Sequence, residues 1–486
     1  MKNSLFKYCV LFFLLIPIYL VGGYIYNYAV ISPDVELFEI SKIDTKKEPI
    51  VLDNDFKIKE YVSGLFVPAN MEFIGDDLLV LEKNTGTVRH IKNNALLDAP
   101  VLDVEVSNYG KQGLLGITSV ENDVYLFFTE AYHDGGRALE NRVYKYSWNG
   151  NELVEPILLK RIPGFEREYV GGELVSDLDD KVYAITGENY KIGLLQNHLE
   201  NESYRHFSTA ASKDEKNRLT ISDSFDHLLS CTKISFQHHT TNPFGWQSEQ
   251  PDLSDNPPEL NLFNILGNLD SCIRQFTYEN FSNGHWKDTS TIIQIEPEGD
   301  YTAIGIRNSF GLAVDPQTGY LWDTENGPDV YDEINLVENK FNSGWAKIQG
   351  PSNGRTLPQV PEYENYRYSE PEFSWELPVG VTAIEFPNSI DFKKYKDFLF
   401  VADSNNGIIY KFKLDDTRTK FVFQSPHLQD NILNISQNSD DGSLTESRAE
   451  IVFAKNLGLI SDMKFGPDGA LYVISLMEGK IYKISS

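Results

Sequence analysis

Residues 307–335 read RNSFGLAVDPQTGYLWDTENGPDVYDEIN. SFGLAV is a short apolar run, Pro316, Gln317, Thr318 and Gly319 have turn chemistry, and YLW resumes an apolar strand. A hairpin is therefore expected, followed by the acidic loop ENGPDVYDEIN. That loop sets Asp332 and Glu333 side by side after the pair Gly327 and Pro328. Hard oxygen ligands on an irregular backbone are what a calcium site requires. The loop is accordingly a candidate calcium site. The competing expectation is an acidic loop whose carboxylates are satisfied by backbone N–H groups.

Outward from this hairpin the same pattern recurs. A short apolar strand meets a turn rich in Asp, Gly, Asn or Pro, and a second alternating strand follows. Copies begin at Met71 (MEFIGDDLLVLEKNTGTVRHI), Leu114 (LLGITSVENDVYLFFTEA), Glu173 (ELVSDLDDKVYAITGE), Phe310, Val381 and Ile460 (ISDMKFGPDGALYVISLMEGKIYKI). Units of this length, built of hairpins with almost no helical periodicity, read as propeller blades. The expected fold is all-β, a six-bladed β-propeller over residues 55–486, with a β-sandwich array as the structural alternative. The run FKIKEYVSGL, residues 56–65, is expected to complete the last blade and close the ring, which removes exposed sheet edges. Residues 189–290 break the rhythm and are expected to form a long insertion between the third and fourth blades, able to shape a binding cleft. The interval carries six of the nine histidines, His238 and His239 among them. Adjacent side chains diverge in a strand, so solvated histidines are expected there rather than a transition-metal site.

A formal net charge of -28 excludes a nucleic-acid partner, which needs a basic footprint. Residues 8–31 (YCVLFFLLIPIYLVGGYIYNYAVI) carry no charge and are long enough to cross a bilayer. Lys2 and Lys7 precede them and Asp34, Glu36 and Glu39 follow, so the N-terminal end is expected in the cytoplasm and the propeller outside. A single-pass anchor over residues 1–31, with a linker over 32–54, is favoured over a cleaved signal peptide, because the apolar run is long and no A-x-A site follows. Cys231 and Cys272 are candidates for a disulfide in an exported chain, although spacing alone does not show proximity.

The repeats, with KQGLLGI (residues 111–117), the string over 306–337, FNSGWAKIQGP (341–351) and GPDGALYV (466–473), resemble the glucose/sorbosone dehydrogenase family. The resemblance implies a six-bladed propeller that carries pyrroloquinoline quinone (PQQ) on its top face. It further implies a calcium ion polarising the quinone, a histidine taking the hydroxyl proton of a sugar, and basic residues holding the cofactor carboxylates. Arg307 and Asn308 match the family's RN pair, which faces the cofactor. Gly327 and Pro328 match a GP pair whose carbonyls bind calcium, and Asp332 and Glu333 match the DE pair.

Three positions depart from the pattern. Tyr169 stands in EYVGG, residues 168–172, where the family's histidine is expected. Tyrosine ordinarily titrates near ~10 and needs cationic help to act as a base. Glu173 replaces an arginine, and Ser461 stands where many relatives carry another. Two functions are therefore expected of the same fold. One is an anchored, extracytoplasmic quinoprotein dehydrogenase acting on a sugar or other small alcohol. The other is a non-catalytic propeller that keeps a structural calcium and binds a glycan or envelope protein. No H-E-x-x-H string or nucleophile elbow supports a hydrolase.

Overall fold

The computed structural model describes residues 47–164, 168–188, 288–352, 365–433 and 446–486. The N-terminal apolar stretch, all three cysteines and the histidine-rich interval up to residue 287 lie outside them. Among the described residues no helix is long and apolar enough to cross a membrane. Glu48–Ser486 form a unit of their own, and it is an all-β propeller of six sheets.

Innermost strand first, the first sheet comprises Pro68–Ile74, Asp77–Glu82, Thr87–Lys92 and Ala95–Leu96. The second comprises Leu114–Val120, Asp123–Ala131, Ala138–Trp148 and Leu153–Ile162. Gly171–Ser176, Val182–Thr186, Thr291–Glu296 and Tyr301–Ile304 form the third, extended by the short parallel additions Phe341–Asn342 and Arg367–Tyr368. The fourth has Ser309–Val314, Leu321–Glu325, Asp332–Val337, Phe373–Trp375 and Ile432–Leu433. The fifth has Val381–Glu385, Phe398–Asp403, Ile409–Lys413, Val452–Lys455 and Ile50–Val51, and the sixth has Ile460–Phe465, Leu471–Ser475, Lys480–Ser485 and Lys57–Ser63.

Side-chain alternation explains the ring. In Asp77–Glu82, Leu78 and Val80 pack with Tyr472 and Ile474 of the sixth sheet, while Leu79 and Leu81 pack with Leu114 and Leu126 of the second. A strand that feeds two cores is apolar on both faces, which is why DLLVLE and LYVIS read as unbroken apolar runs. Every pair of neighbouring sheets shares such a core, the sixth with the first included, so the sheets close on themselves. Two glycines on innermost strands permit the close approach near the axis. A Cβ on Gly116 would lie 2.0 Å from Gly172 O, and one on Gly311 would lie 2.3 Å from Thr382 O.

Closure comes from the N-terminal side, as the run at residues 56–65 predicts. Lys57–Ser63 pairs antiparallel with Lys480–Ser485, with Ile58 opposite Ile484. A second N-terminal strand falls inside the expected linker: Ile50 and Val51 pair with Lys455 and Ala454 of the fifth sheet. The position of the long insertion is corrected. Thr291–Glu296 pairs with Val182–Thr186, so the chain leaves and re-enters the third sheet between its second and third strands, not between the third and fourth sheets. The sequence could not show this, because the outer half of that sheet resumes more than a hundred residues after the inner half and reads like the start of a new unit.

Candidate functional site

In antiparallel sheets of this order, segments that precede an innermost strand and loops that join the second strand to the third emerge on one face. Lys83, Lys111, Tyr169, Glu188, Arg307, Asn308 and the loop from Asn326 to Tyr331 all lie in such segments. They gather the sequence-derived site around the mouth of the central channel.

Arg307 is the centre of this arrangement. It is 5% exposed, and its guanidinium lies over the rings of Tyr169 at 4.7 Å and Trp345 at 5.3 Å. Nη1 donates to Asn326 O at 2.6 Å, whereas Nε is buried without a partner among the described residues. Asn308 is equally buried, and its Oδ1 also lacks a partner. The backbone fixes the segment from both sides: Glu188 N donates to Arg307 O at 2.7 Å, and Arg307 N donates to Glu325 Oε1 at 2.9 Å. Trp345 is held in turn by its Nε1, which donates to Glu188 Oε2 at 2.7 Å. Tyr169 is half-buried, and Gly187 beside it must be glycine, because a Cβ there would lie 2.2 Å from Tyr169 O.

The acidic loop is wired differently from a metal cage. Asp332 accepts four backbone N–H bonds: Gly327 N at 3.0 Å on Oδ1, and Val379 N, Gly380 N and Val381 N at 2.8, 2.7 and 3.3 Å on Oδ2. It thereby ties the loop of the fourth sheet to the segment that opens the fifth. Burial nevertheless raises its pKa against those four bonds. Glu333 Oε1 accepts from Gly350 N and from Gln349 Nε2. Gly327 is half-buried and Pro328 is exposed at the outer rim. Among the described residues no three His, Cys, Asp or Glu side chains converge as metal ligands. Asp332 follows the competing expectation, with both oxygens taken by backbone donors, and does not fit as a calcium ligand in this geometry; at Glu333 a backbone and an amide donor take Oε1.

Behind the loop, Asp323, Glu325 and Glu333 share the face of the fourth sheet turned toward the third, with Glu325 directly opposite Glu333. Burial raises all three pKa values, that of Glu325 to about 7; repulsion from Glu325 adds to the rise at Asp323 and Glu333, and repulsion from Glu188 to that at Glu325. Ser343 Oγ and Arg307 N bond Glu325 and oppose the rise. A carboxyl raised in this way holds its proton more readily and is a weaker cation ligand.

A second polar cluster fills the channel. Asn70 Nδ2 donates to Glu173 Oε2 at 2.5 Å, from the first sheet to the third, a bond that must pass across the axis because the second sheet stands between them. Lys464 lies 3.7 Å from Glu72, whose other oxygen accepts from Ser119 Oγ at 3.0 Å. Asp462 accepts from Met71 N at 2.9 Å. Burial pushes Glu385 up to about 8 and raises Glu72, Glu173 and Asp462, while Lys464 is the cation that opposes each rise. Two of the three departures from the family pattern therefore have structural work: Glu173 is bonded inside the channel, and Ser461 Oγ donates to Pro68 O at 2.9 Å.

The structure also brings in residues that sequence reading passed over. Lys111 reaches from ahead of the second sheet to Phe310 of the fourth, with Nζ 5.0 Å from the ring. Lys83 Nζ donates to Gly110 O at 2.9 Å, next to Lys111 in the chain, and burial pushes its pKa down to about 8. Lys111 and Trp345 both lie in strings that carried the family resemblance; their position beside Arg307 was the missing signal.

The family model for glucose / sorbosone dehydrogenase matches residues 65–204 and 298–483, more than half of the chain. The chain belongs to the glucose/sorbosone dehydrogenase family. Aldose sugar dehydrogenase YliI of Escherichia coli is 26% identical over 184 residues, which cover 37% of this chain and 42% of that protein. The chain thus spans less than half the length of that curated relative. Among solved structures, a putative glucose dehydrogenase of Thermus thermophilus superposes with a TM-score of 0.54 at 19% identity over 88% of this chain and 99% of that one. The soluble aldose sugar dehydrogenase of Escherichia coli, in its apo form, gives 0.53 at 20% identity over 88% and 99%. The PQQ-bound aldose sugar dehydrogenase of Streptomyces coelicolor gives 0.50 at 16% over 90% and 99%. At these identities the structural likeness establishes the propeller fold.

Proposed function

We propose that this member of the glucose/sorbosone dehydrogenase family is a membrane-anchored, extracytoplasmic, six-bladed propeller that holds PQQ at the channel mouth and oxidises a sugar or another small alcohol. The pair Arg307 and Asn308 carries this reading. Arg307 Nε is an unspent buried donor and Asn308 Oδ1 an unspent buried acceptor, side by side in the chain. A buried polar atom without a partner is costly, and a ligand bearing both kinds of group would satisfy the two together. The quinone, when bound, supplies a two-electron acceptor for the hydride of the substrate C–H bond. Arg307 and Asn308 orient the ligand, and Trp345, locked by Glu188, covers one face of the guanidinium and keeps water from it. Tyr169 Oη takes the hydroxyl proton of the alcohol, and the Arg307 guanidinium, 4.7 Å from the ring centroid, holds the ring in place. Calcium enters no step, because both oxygens of Asp332 and Oε1 of Glu333 already accept from the protein's own N–H groups. Of the four residues matched to the family's calcium site, this leaves the carbonyls of Gly327 and Pro328.

The test uses the purified full chain, supplied with PQQ and calcium, and follows bound quinone absorbance and dye reduction across a sugar panel. Quinone binding with dye reduction that is lost in Tyr169→Phe is the expected result. Absence of quinone binding at micromolar protein would sink the dehydrogenase reading. Protease protection in sealed vesicles tests the placement: the propeller should be cut only from the outer side.

One observation favours a second reading. The acidic loop is internally satisfied by backbone N–H groups, as in a propeller that keeps the family frame without its metal chemistry. The chain would then bind a glycan or an envelope protein on the same face, and bound quinone, if any, would reduce no dye.

A further inference from the structure

Lys111 is a cation without a structural task. Among the described residues no hydrogen bond or ion pair reaches its Nζ, and its ring contact is the face of Phe310 at 5.0 Å. It differs in this from Lys83, whose Nζ is tied to Asn84 Oδ1 at 3.2 Å and Gly110 O at 2.9 Å. It differs also from Lys464, which sits among four channel carboxylates. Burial lowers the pKa of Lys111, and nearby Arg307 adds to that effect. Glu168 and Asp332 oppose it, but Asp332 is spent on four N–H groups, and Glu168 is exposed and makes no contact with the ammonium. A partly desolvated ammonium with three unspent donors, near a guanidinium with one more, lacks an acceptor-rich partner.

We propose that Lys111 anchors a carboxylate of a small molecule bound at the channel mouth, with Arg307 Nε as the second donor. The ammonium is held in the open by Phe310, a support that fixes its position without using its hydrogen-bond capacity. Because Lys111 crosses from the second sheet to the fourth, the anchored carboxylate lies over the third, where Tyr169 stands. This places the acidic end of the ligand beside the residue at the family's base position. The inference rests on reading the channel mouth as the ligand chamber, but not on that ligand being the quinone. A sugar acid and a tricarboxylate quinone offer the same group.

Calorimetric titration of the full chain separates the sources. The probes are PQQ, its trimethyl ester, glucuronate and glucose, each against wild type, Lys111→Met and Lys111→Arg. PQQ or glucuronate should bind wild type and lose roughly tenfold or more in affinity in Lys111→Met, the loss of one charge-assisted hydrogen bond. The uncharged ester and glucose should be indifferent to that change. Lys111→Arg should retain binding within about threefold and shows that the loop still folds, since it keeps the charge and the stem. If glucuronate binds through Lys111 and PQQ does not bind, the anchor stands and the quinone reading fails. If PQQ binds Lys111→Met as it binds wild type, the anchor is overturned and the quinone reading stands. If no carboxylate-bearing probe binds wild type, both fail.

Discussion

Replacing Asp332 by Asn keeps the shape of the side chain and removes its charge, so it separates a brace from a metal ligand. In the structure three N–H groups, from Val379, Gly380 and Val381, converge on Oδ2, and Gly327 N meets Oδ1. An asparagine oxygen in the Oδ2 position retains the three bonds without charge assistance. Its amide then faces Gly327 N as donor against donor. Weakening three bonds and orphaning one N–H amounts to a loss of about 3 kcal/mol, allowing for some relaxation. A unit of about 440 residues unfolds with an entropy of roughly 0.9 kcal/mol per kelvin, so Tm should fall by about 3 °C. Scanning calorimetry of both proteins, with calcium and with a chelator, reads the result. The brace predicts the same drop in both conditions and a wild type indifferent to chelation. A wild-type Tm that falls on chelation, together with an Asp332→Asn protein insensitive to it, would refute the brace and restore the carboxylate as a calcium ligand.

Stability should decline with rising pH. Burial pushes Glu385 and Glu372 up to about 8, Glu325 to about 7 and Asp403 to about 6. Between the unfolded values near 4–4.5 and these folded values the native state holds protons that the unfolded chain has released. The contribution is therefore favourable at about pH 5 and is lost as pH passes about 8, and Glu385→Gln should flatten the upper part of a Tm-against-pH curve. Lys464→Met should destabilise the protein more at about pH 8 than at about pH 5, because protonated channel carboxylates need no counter-charge; a loss independent of pH would show that its packing matters more than its charge. Val62→Asp places a charge in the core shared by the sixth and first sheets and should lower stability by at least about 3 kcal/mol in denaturant titration. An unchanged midpoint would mean that the closing strand does not hold the ring.

The fold was legible because each unit states its own geometry. All six expected units start on or within the innermost strand of a sheet, and the closing strand was visible as a lone alternating run before the first unit. Two features were not legible for one reason. Both the outer strands of the third sheet and the pairing of Ile50 and Val51 depend on partners distant in sequence, and short strands carry no mark of which edge they will join.

At the site, residue types were readable but their partners were not. Asp332 looked like a ligand because the sequence shows a carboxylate next to Gly327 and Pro328, whereas the three N–H groups that occupy Oδ2 arrive from residues 379–381 on the next sheet. Tyr169 looked disabling because the sequence shows a phenol in place of an imidazole. What that phenol can do depends on Arg307, which approaches from the segment ahead of the fourth sheet and places its cation 4.7 Å from the ring. Propeller chemistry is assembled from loops of different sheets meeting over one channel, so substitution at one position is interpretable only with the groups it meets. Here the departure at Tyr169 comes with a guanidinium against its ring, and with the ammonium of Lys111 at the same channel mouth, against Phe310.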